Sequence, residues 1–157
     1  MKKGFLWALC LLALSAPLFA DMSKAELQSM YLNYLRSQNI RASVDSDGDI
    51  EFQYKGSHIN ETTFYIIVDE TDQQYFRIVK YGIYYLDTEA RLRQAPLVAA
   101  NVTRRADVAK IYINSAGTNL IATASAFIAA PQDFMAIFPK LMRELDNIMY
   151  YFLNEMN

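Results

Sequence analysis

The chain has 157 residues, of which 53% are hydrophobic and 20% are charged, with 15 Lys and Arg residues against 17 Asp and Glu residues. This slightly acidic balance argues against nucleic acid as a partner, because phosphate binding needs clustered basic side chains. A single histidine and a single cysteine are too few for a zinc site, and the sequence has no glycine-rich phosphate-binding loop. We therefore predict no metal and no cofactor.

The first 20 residues have the pattern of a secretory signal peptide. Lys2 and Lys3 precede an apolar run over residues 4–16, and the small residue Ala20 comes before a polar segment. A membrane anchor is the alternative, but the run is shorter than the roughly 20 residues that a spanning helix needs. We expect cleavage near Ala20, no membrane span afterwards, a single domain over residues 21–157, and a periplasmic or secreted location.

After the predicted cleavage site, apolar residues recur first at helical spacing and then at strand spacing. Ser23 and Glu26 have the spacing of a capping box, and apolar residues recur at helical spacing up to about Gln38. Over residues 40–54 the apolar residues alternate with polar ones on either side of an acidic segment. This pattern predicts a first helix followed by a β-hairpin with an Asp-Gly turn.

The acids of this turn, Asp45, Asp47 and Asp49, also suggest a calcium loop. That pattern places its glycine after the third acid and a glutamate at the twelfth position. Here Gly48 precedes the third acid, and Gly56 occupies the twelfth position of a loop that starts at Asp45. We therefore predict a turn that binds no calcium.

Two further segments are apolar on both of the faces that a strand presents. Strands are predicted over residues 62–68 and over residues 75–85. Such strands need cover on both sides of the sheet. The candidates for a surface shared with a partner are Tyr65, Ile67, Tyr75, Val79 and Tyr81.

A second helix is predicted from Glu89, with Thr88 as its N-cap and with Pro96 kinking or restarting it. Strands then follow over residues 109–114 and 119–129. The second of these strands carries small residues on one face, which would let a helix lie close.

The last helix begins near Pro131 and has a continuous apolar stripe up to Met156. Pro139 is expected to bend or interrupt it early. The predicted order is therefore α-β-β-β-β-α-β-β-α, an α+β fold on a mainly antiparallel sheet with a long C-terminal helix. The helices are expected to pack on one face, so burial of the other face predicts a homodimer.

Candidate catalytic groups are few. His58 lies in a loop without a nucleophile pattern and is interpreted as a solvated side chain. The acidic turn with Asp69, Glu70 and Asp72, together with nearby tyrosines, leaves a small-molecule or glycan binder or hydrolase as an alternative function.

Five segments carry a family resemblance. They are DSDGDIEFQYKG at residues 45–56, YIIVDETD at 65–72, NVTRRADVAKIYI at 101–113, ATASAFI at 122–128 and DFMAIFPKLMREL at 133–145. In these segments the chain resembles the YbjN domain family, whose fold is like that of the type III secretion chaperones. The most specific part is the set Asn101, Arg104, Arg105, Val108, Ala109 and Lys110 with Phe138 and Pro139.

The resemblance implies a fold, a tendency to dimerise and a binding rather than catalytic activity. It supplies no motif of catalytic residues. The expected function is thus an exported, non-catalytic, dimeric binding module that is chaperone-like towards a polypeptide partner.

Overall fold

The structure is a computed structural model that describes residues 21–157, so the predicted signal peptide lies outside the described residues. Its elements follow the predicted order α-β-β-β-β-α-β-β-α, which confirms the α+β class. The elements are α1 (Lys24–Ser37), β1 (Ala42–Val44), β2 (Ile50–Tyr54), β3 (Thr62–Ile66), β4 (Tyr75–Tyr85), α2 (Glu89–Arg105), β5 (Ala109–Ile113), β6 (Asn119–Phe127), a short 3₁₀ helix (Pro131–Asp133) and α3 (Phe134–Met156).

The six strands form one antiparallel sheet in the order β1-β2-β3-β4-β6-β5. The β1–β2 hairpin closes as predicted, since the Asp45 amide donates to the Asp49 carbonyl at 2.9 Å. In β4, a bulge between Lys80 and Tyr84 includes Gly82, whose φ is 63°. Past this bulge Tyr84 points towards the helices, where its ring meets that of Phe152.

The helices pack on one face of the sheet, where alternate residues of each strand enter the core. Phe134 at the start of α3 packs edge-on against Tyr31 of α1 and also contacts Phe76 of β4. Ala122 and Ala124 of β6 are fully buried, which confirms that small residues let the helices approach the sheet. The largest buried side chains are Phe52, Phe64, Phe76, Phe134, Phe152, Leu27, Leu35, Ile50, Ile66, Ile78, Leu120 and Leu141.

Both internal prolines lie inside continuous helices, so neither Pro96 nor Pro139 interrupts its helix, while the alternative of a kink or bend at each stays a prediction. A proline removes the amide that would bond to the carbonyl four residues earlier. For Pro139 that carbonyl belongs to Met135, and the Tyr34 hydroxyl of α1 donates to it at 3.2 Å. The α1–α3 contact thus supplies the missing donor, and α3 continues.

Three strands end earlier than predicted. β3 ends at Ile66 rather than residue 68, since the Val68 amide donates to the Asp49 carboxylate at 2.8 Å. β5 and β6 end at Ile113 and Phe127, one and two residues before their predicted ends.

Candidate binding surface

The sheet face opposite the helices carries a mixed polar and aromatic surface, which we call the open face. All three helices over residues 21–157 lie on the other side. The open face consists of Ser43, Glu51, Gln53, Thr63, Tyr65, Tyr75, Arg77, Val79, Tyr81, Lys110, Tyr112, Ile121, Thr123, Ser125 and Phe127.

Four of the five predicted surface residues share this face, namely Tyr65, Tyr75, Val79 and Tyr81. Ile67 lies just past the end of β3, half-buried, with its amide donating to the Arg77 carbonyl at 3.1 Å. Val79 is only 3% exposed because its neighbours on the open face cover it, so a partner would meet the tyrosines rather than Val79.

Aromatic pairs form two clusters on the open face. The rings of Tyr65 and Tyr81 lie 5.3 Å apart in an edge-to-face arrangement, and those of Tyr75 and Phe127 lie 5.2 Å apart. The Tyr75 hydroxyl donates to the Ser125 hydroxyl at 2.8 Å, which fixes the second cluster on β6. Such pairs hold large apolar areas in fixed positions.

Sequence reasoning missed Phe127 and Tyr112, which are 81% and 41% exposed on this face. The signal was available in the strand alternation, which places every second residue of β5 and β6 away from the helices.

The tyrosine hydroxyls lie near acidic side chains. Burial, and then the negative charges of Glu51 and Asp45, raise the pKa of Tyr65. Burial, and then the charge of Asp49, likewise raise the pKa of Tyr81. Both phenols therefore stay protonated at neutral pH and can donate hydrogen bonds to a partner.

Arg77 lies near the centre of the open face, in β4 between Tyr75 and Val79. Its Nε is buried and finds no acceptor among residues 21–157. A buried donor without an acceptor costs free energy.

The carboxylates of the acidic turn after β3 accept hydrogen bonds from other groups of the chain. The Asp69 carboxylate accepts from the Thr71 hydroxyl at 2.6 Å and from the Thr71 amide at 2.9 Å, and these bonds lower the pKa of Asp69. Glu70 accepts from the Lys24 amide at 3.2 Å. A lowered pKa suits a hydrogen-bond acceptor, whereas a general acid needs a raised one.

The acidic turn of the β1–β2 hairpin also uses its carboxylates internally. The Asp45 carboxylate accepts from the amides of Asp47 and Asp49, each at 2.9 Å. The absence of calcium binding stays a prediction. Within the described part of the chain, no group of three or more His, Cys, Asp and Glu side chains is placed to hold a metal ion.

Asp146 of α3 is a buried carboxylate that the sequence did not single out, with only 4% exposure. It accepts hydrogen bonds from the amides of Ser57, His58 and Ile59 at 2.9 to 3.2 Å. A Cβ at Gly56 would collide with this carboxylate, so the close approach requires glycine. His58 is exposed, as predicted, and its ring stacks on that of Tyr150 at 4.5 Å.

A groove of about 430 Å³ runs between α2 and α3, on the helical side of the molecule. Arg105 lines it and forms an ion pair with Glu155. None of the predicted surface residues lines this groove, whose lining is Val102, Arg105, Ala106, Glu144, Asn147, Ile148 and Tyr151.

Comparison with known proteins finds no family model that matches the chain, no matching curated protein and no matching solved structure. The resemblance to the YbjN domain family therefore stays a prediction. None of the helices between residues 21 and 157 has the length and apolar content needed to cross a bilayer.

Proposed function

We propose that this chain is an exported, non-catalytic binding module that forms a homodimer through its open face and has a chaperone-like role towards a polypeptide partner. The observation that carries the proposal is the open face itself. It presents aromatic side chains such as Phe127 and Tyr81, which are 81% and 47% exposed, while the helices occupy the other face.

The energetic argument follows from the exposed aromatic area. Apolar surface gains about 25 cal/mol per Å² on burial, and an aromatic side chain offers on the order of 150–250 Å². Covering Phe127, Tyr81 and Tyr112 in each copy therefore supplies several kcal/mol before the cost of association is subtracted. Tyrosine suits an exposed interface because its hydroxyl remains hydrated in the free subunit.

Two features of the sequence support the remaining parts of the proposal. The signal-peptide pattern of residues 1–20 supports export, and the resemblance to a secretion-chaperone-like fold supports a polypeptide partner. The hydrogen bonds that the carboxylates of Asp69 and Glu70 accept within the chain favour binding over hydrolysis at the acidic turn.

Site-specific photo-crosslinking in cells that express the full chain tests the proposal. A photoreactive amino acid replaces Tyr81 on the open face, and a matched one replaces Leu97, which is 68% exposed on α2. We expect a crosslink to a second copy from position 81 and none from position 97. Failure to crosslink a second copy from position 81 would contradict the homodimer.

The same cells test export by fractionation and mass spectrometry. We expect the protein in the periplasm or medium with an N-terminus near Asp21. Recovery of a chain that retains Met1 in a membrane pellet would contradict export.

A further inference from the structure

One ladder row crosses the open face from edge to edge. Successive pairings link β1 to β2, β3, β4, β6 and β5 through one residue each, and the row reads Ser43, Glu51, Tyr65, Val79, Thr123 and Lys110. Glu51 on β2 and Lys110 on the edge strand β5 therefore lie at the same level along the strand direction. Four strand spacings, about 19 Å, separate them, so they cannot pair within one chain.

Other charges give the two halves of the face opposite sign. Asp45 and Asp49 of the β1–β2 hairpin lie near enough to Tyr81 to influence its titration. Arg41, beside Glu51, forms an ion pair with Glu61, so Asp45, Asp49 and Glu51 leave the β1-β2-β3 half acidic. Arg77 on β4 and Lys110 on β5 are the basic residues of the β4-β6-β5 half of the open face. The open face of one copy is thus complementary in charge to that of a second copy when the acidic half of each lies over the basic half of the other.

We propose that two copies pack open face against open face about a two-fold axis parallel to the strands, between β3 and β4, so that Glu51 of each copy pairs with Lys110 of the other. This inference rests on the proposed homodimer and specifies its orientation. Stacked sheets commonly align in this way, with strand directions within about 30°.

The axis brings the acidic half of each copy over the basic half of the other. Glu51 then lies over Thr123 of the second copy, one strand spacing, about 4.8 Å, from Lys110 of that copy. Facing sheets are about 10 Å apart, a gap that extended Lys and Glu side chains can bridge together. A two-fold axis along the row would instead place Glu51 over Glu51 and Lys110 over Lys110, which is repulsive.

The size of the face fits a dimer. The six strands have 3 to 11 residues each. At a rise of about 3.3 Å per residue and a strand spacing of about 4.8 Å they give roughly 600 Å² per copy. This approaches the about 800 Å² per partner that stable protein complexes bury.

Charge reversal tests the pairing on the protein purified after expression of the full chain. Glu51→Lys and Lys110→Glu are made singly, and Lys140→Glu on the exposed surface of α3 serves as the control. Sedimentation equilibrium measures each dimer Kd, and native mass spectrometry measures mixed dimers. Glu51→Gln provides a milder variant, and circular dichroism confirms that each variant is folded.

We expect each reversal at position 51 or 110 to raise the dimer Kd at least about tenfold, because two symmetric contacts become like-charged. Mixing the two reversed variants should restore dimerisation as a mixed dimer, since both of its contacts again join opposite charges. The Lys140 control should dimerise like the unchanged protein, and Glu51→Gln should weaken the dimer less than Glu51→Lys.

Two outcomes would overturn the inference and are distinguishable. If the unchanged protein is monomeric, both the homodimer and its orientation are wrong. If it is dimeric but the reversed variants dimerise equally well, with no preference for the mixed dimer, the open-face orientation is wrong while the homodimer stands.

Discussion

Asp146 is the residue whose substitution we expect to be most damaging outside the apolar core. It holds residues 57–59 against α3 through three backbone amides and is only 4% exposed. We predict that Asp146→Ala lowers the free energy of unfolding by about 2–3 kcal/mol, because hydrogen bonds to a charged group are lost and buried donors are left without acceptors. Chemical denaturation measures this loss.

Asp107→Ala is the control for this prediction, because Asp107 is exposed and its removal should change stability by less than about 0.5 kcal/mol. Equal effects of the two substitutions would show that the carboxylate of Asp146 does not anchor the loop.

Tyr34 and Pro139 form a second residue-scale test. The Tyr34 hydroxyl satisfies the Met135 carbonyl that Pro139 leaves without its helical donor. We predict that Tyr34→Phe costs about 1 kcal/mol in the natural background and clearly less after Pro139→Ala, whose new amide can donate to Met135. A double-mutant cycle by thermal or chemical unfolding measures the difference. Equal costs in both backgrounds would contradict this role.

These residue-scale contacts explain part of what the sequence could not predict. The apolar stripe of α3 was predictable from its period, but Asp146 lies beside Leu145 and carries no local signal of burial. Its environment depends on a loop 87 to 89 residues away in the sequence. The same holds for Pro139, because the compensating donor comes from another helix.

At the scale of elements, α2 protects the exposed edge of β5. The Thr103 hydroxyl accepts from the Ile111 amide at 2.9 Å and donates to the Ile111 carbonyl at 3.3 Å. An uncovered edge strand is a template for pairing with other chains, and this side chain occupies its central position.

We predict that Thr103→Val lowers stability by about 1 kcal/mol and increases concentration-dependent aggregation, because the Ile111 backbone loses its partner. Thr103→Ser keeps the hydroxyl and should behave like the unchanged protein. Unfolding curves and light scattering over time measure the two effects. A serine variant as impaired as the valine variant would show that packing, and not the hydroxyl, matters here.

Most elements were predictable because their hydrophobic periodicity is strong and the residues that cap or turn the chain lie next to them in the sequence. The capping box at Ser23, the N-cap at Thr88 and the turn at Gly48 each occur where predicted. Strand ends were less predictable, since the Asp49 carboxylate replaces a ladder partner beyond Ile66 and no local pattern records that contact.

At the scale of the whole molecule, the sequence predicted that the helices cover one face, and the structure confirms it. It left open which face, because strand register depends on pairings between distant segments. The strand pairing places Tyr65, Tyr75 and Tyr81 together on the open face. Val79 lies on the same face but is buried. The open face is more polar and more charged than the sequence predicted from the two strands that are apolar on both faces.

The measurement that tests the central claim most directly is static light scattering on the purified protein over a concentration series that extends to tens of micromolar. We predict twice the chain mass for the unchanged protein and for Leu97→Asp on α2. Tyr81→Asp should give the monomer mass with an unchanged circular dichroism spectrum, since it places a charge in the open face. A monomeric unchanged protein, or a Tyr81→Asp variant that remains dimeric, would contradict the proposal that the open face is the dimer interface.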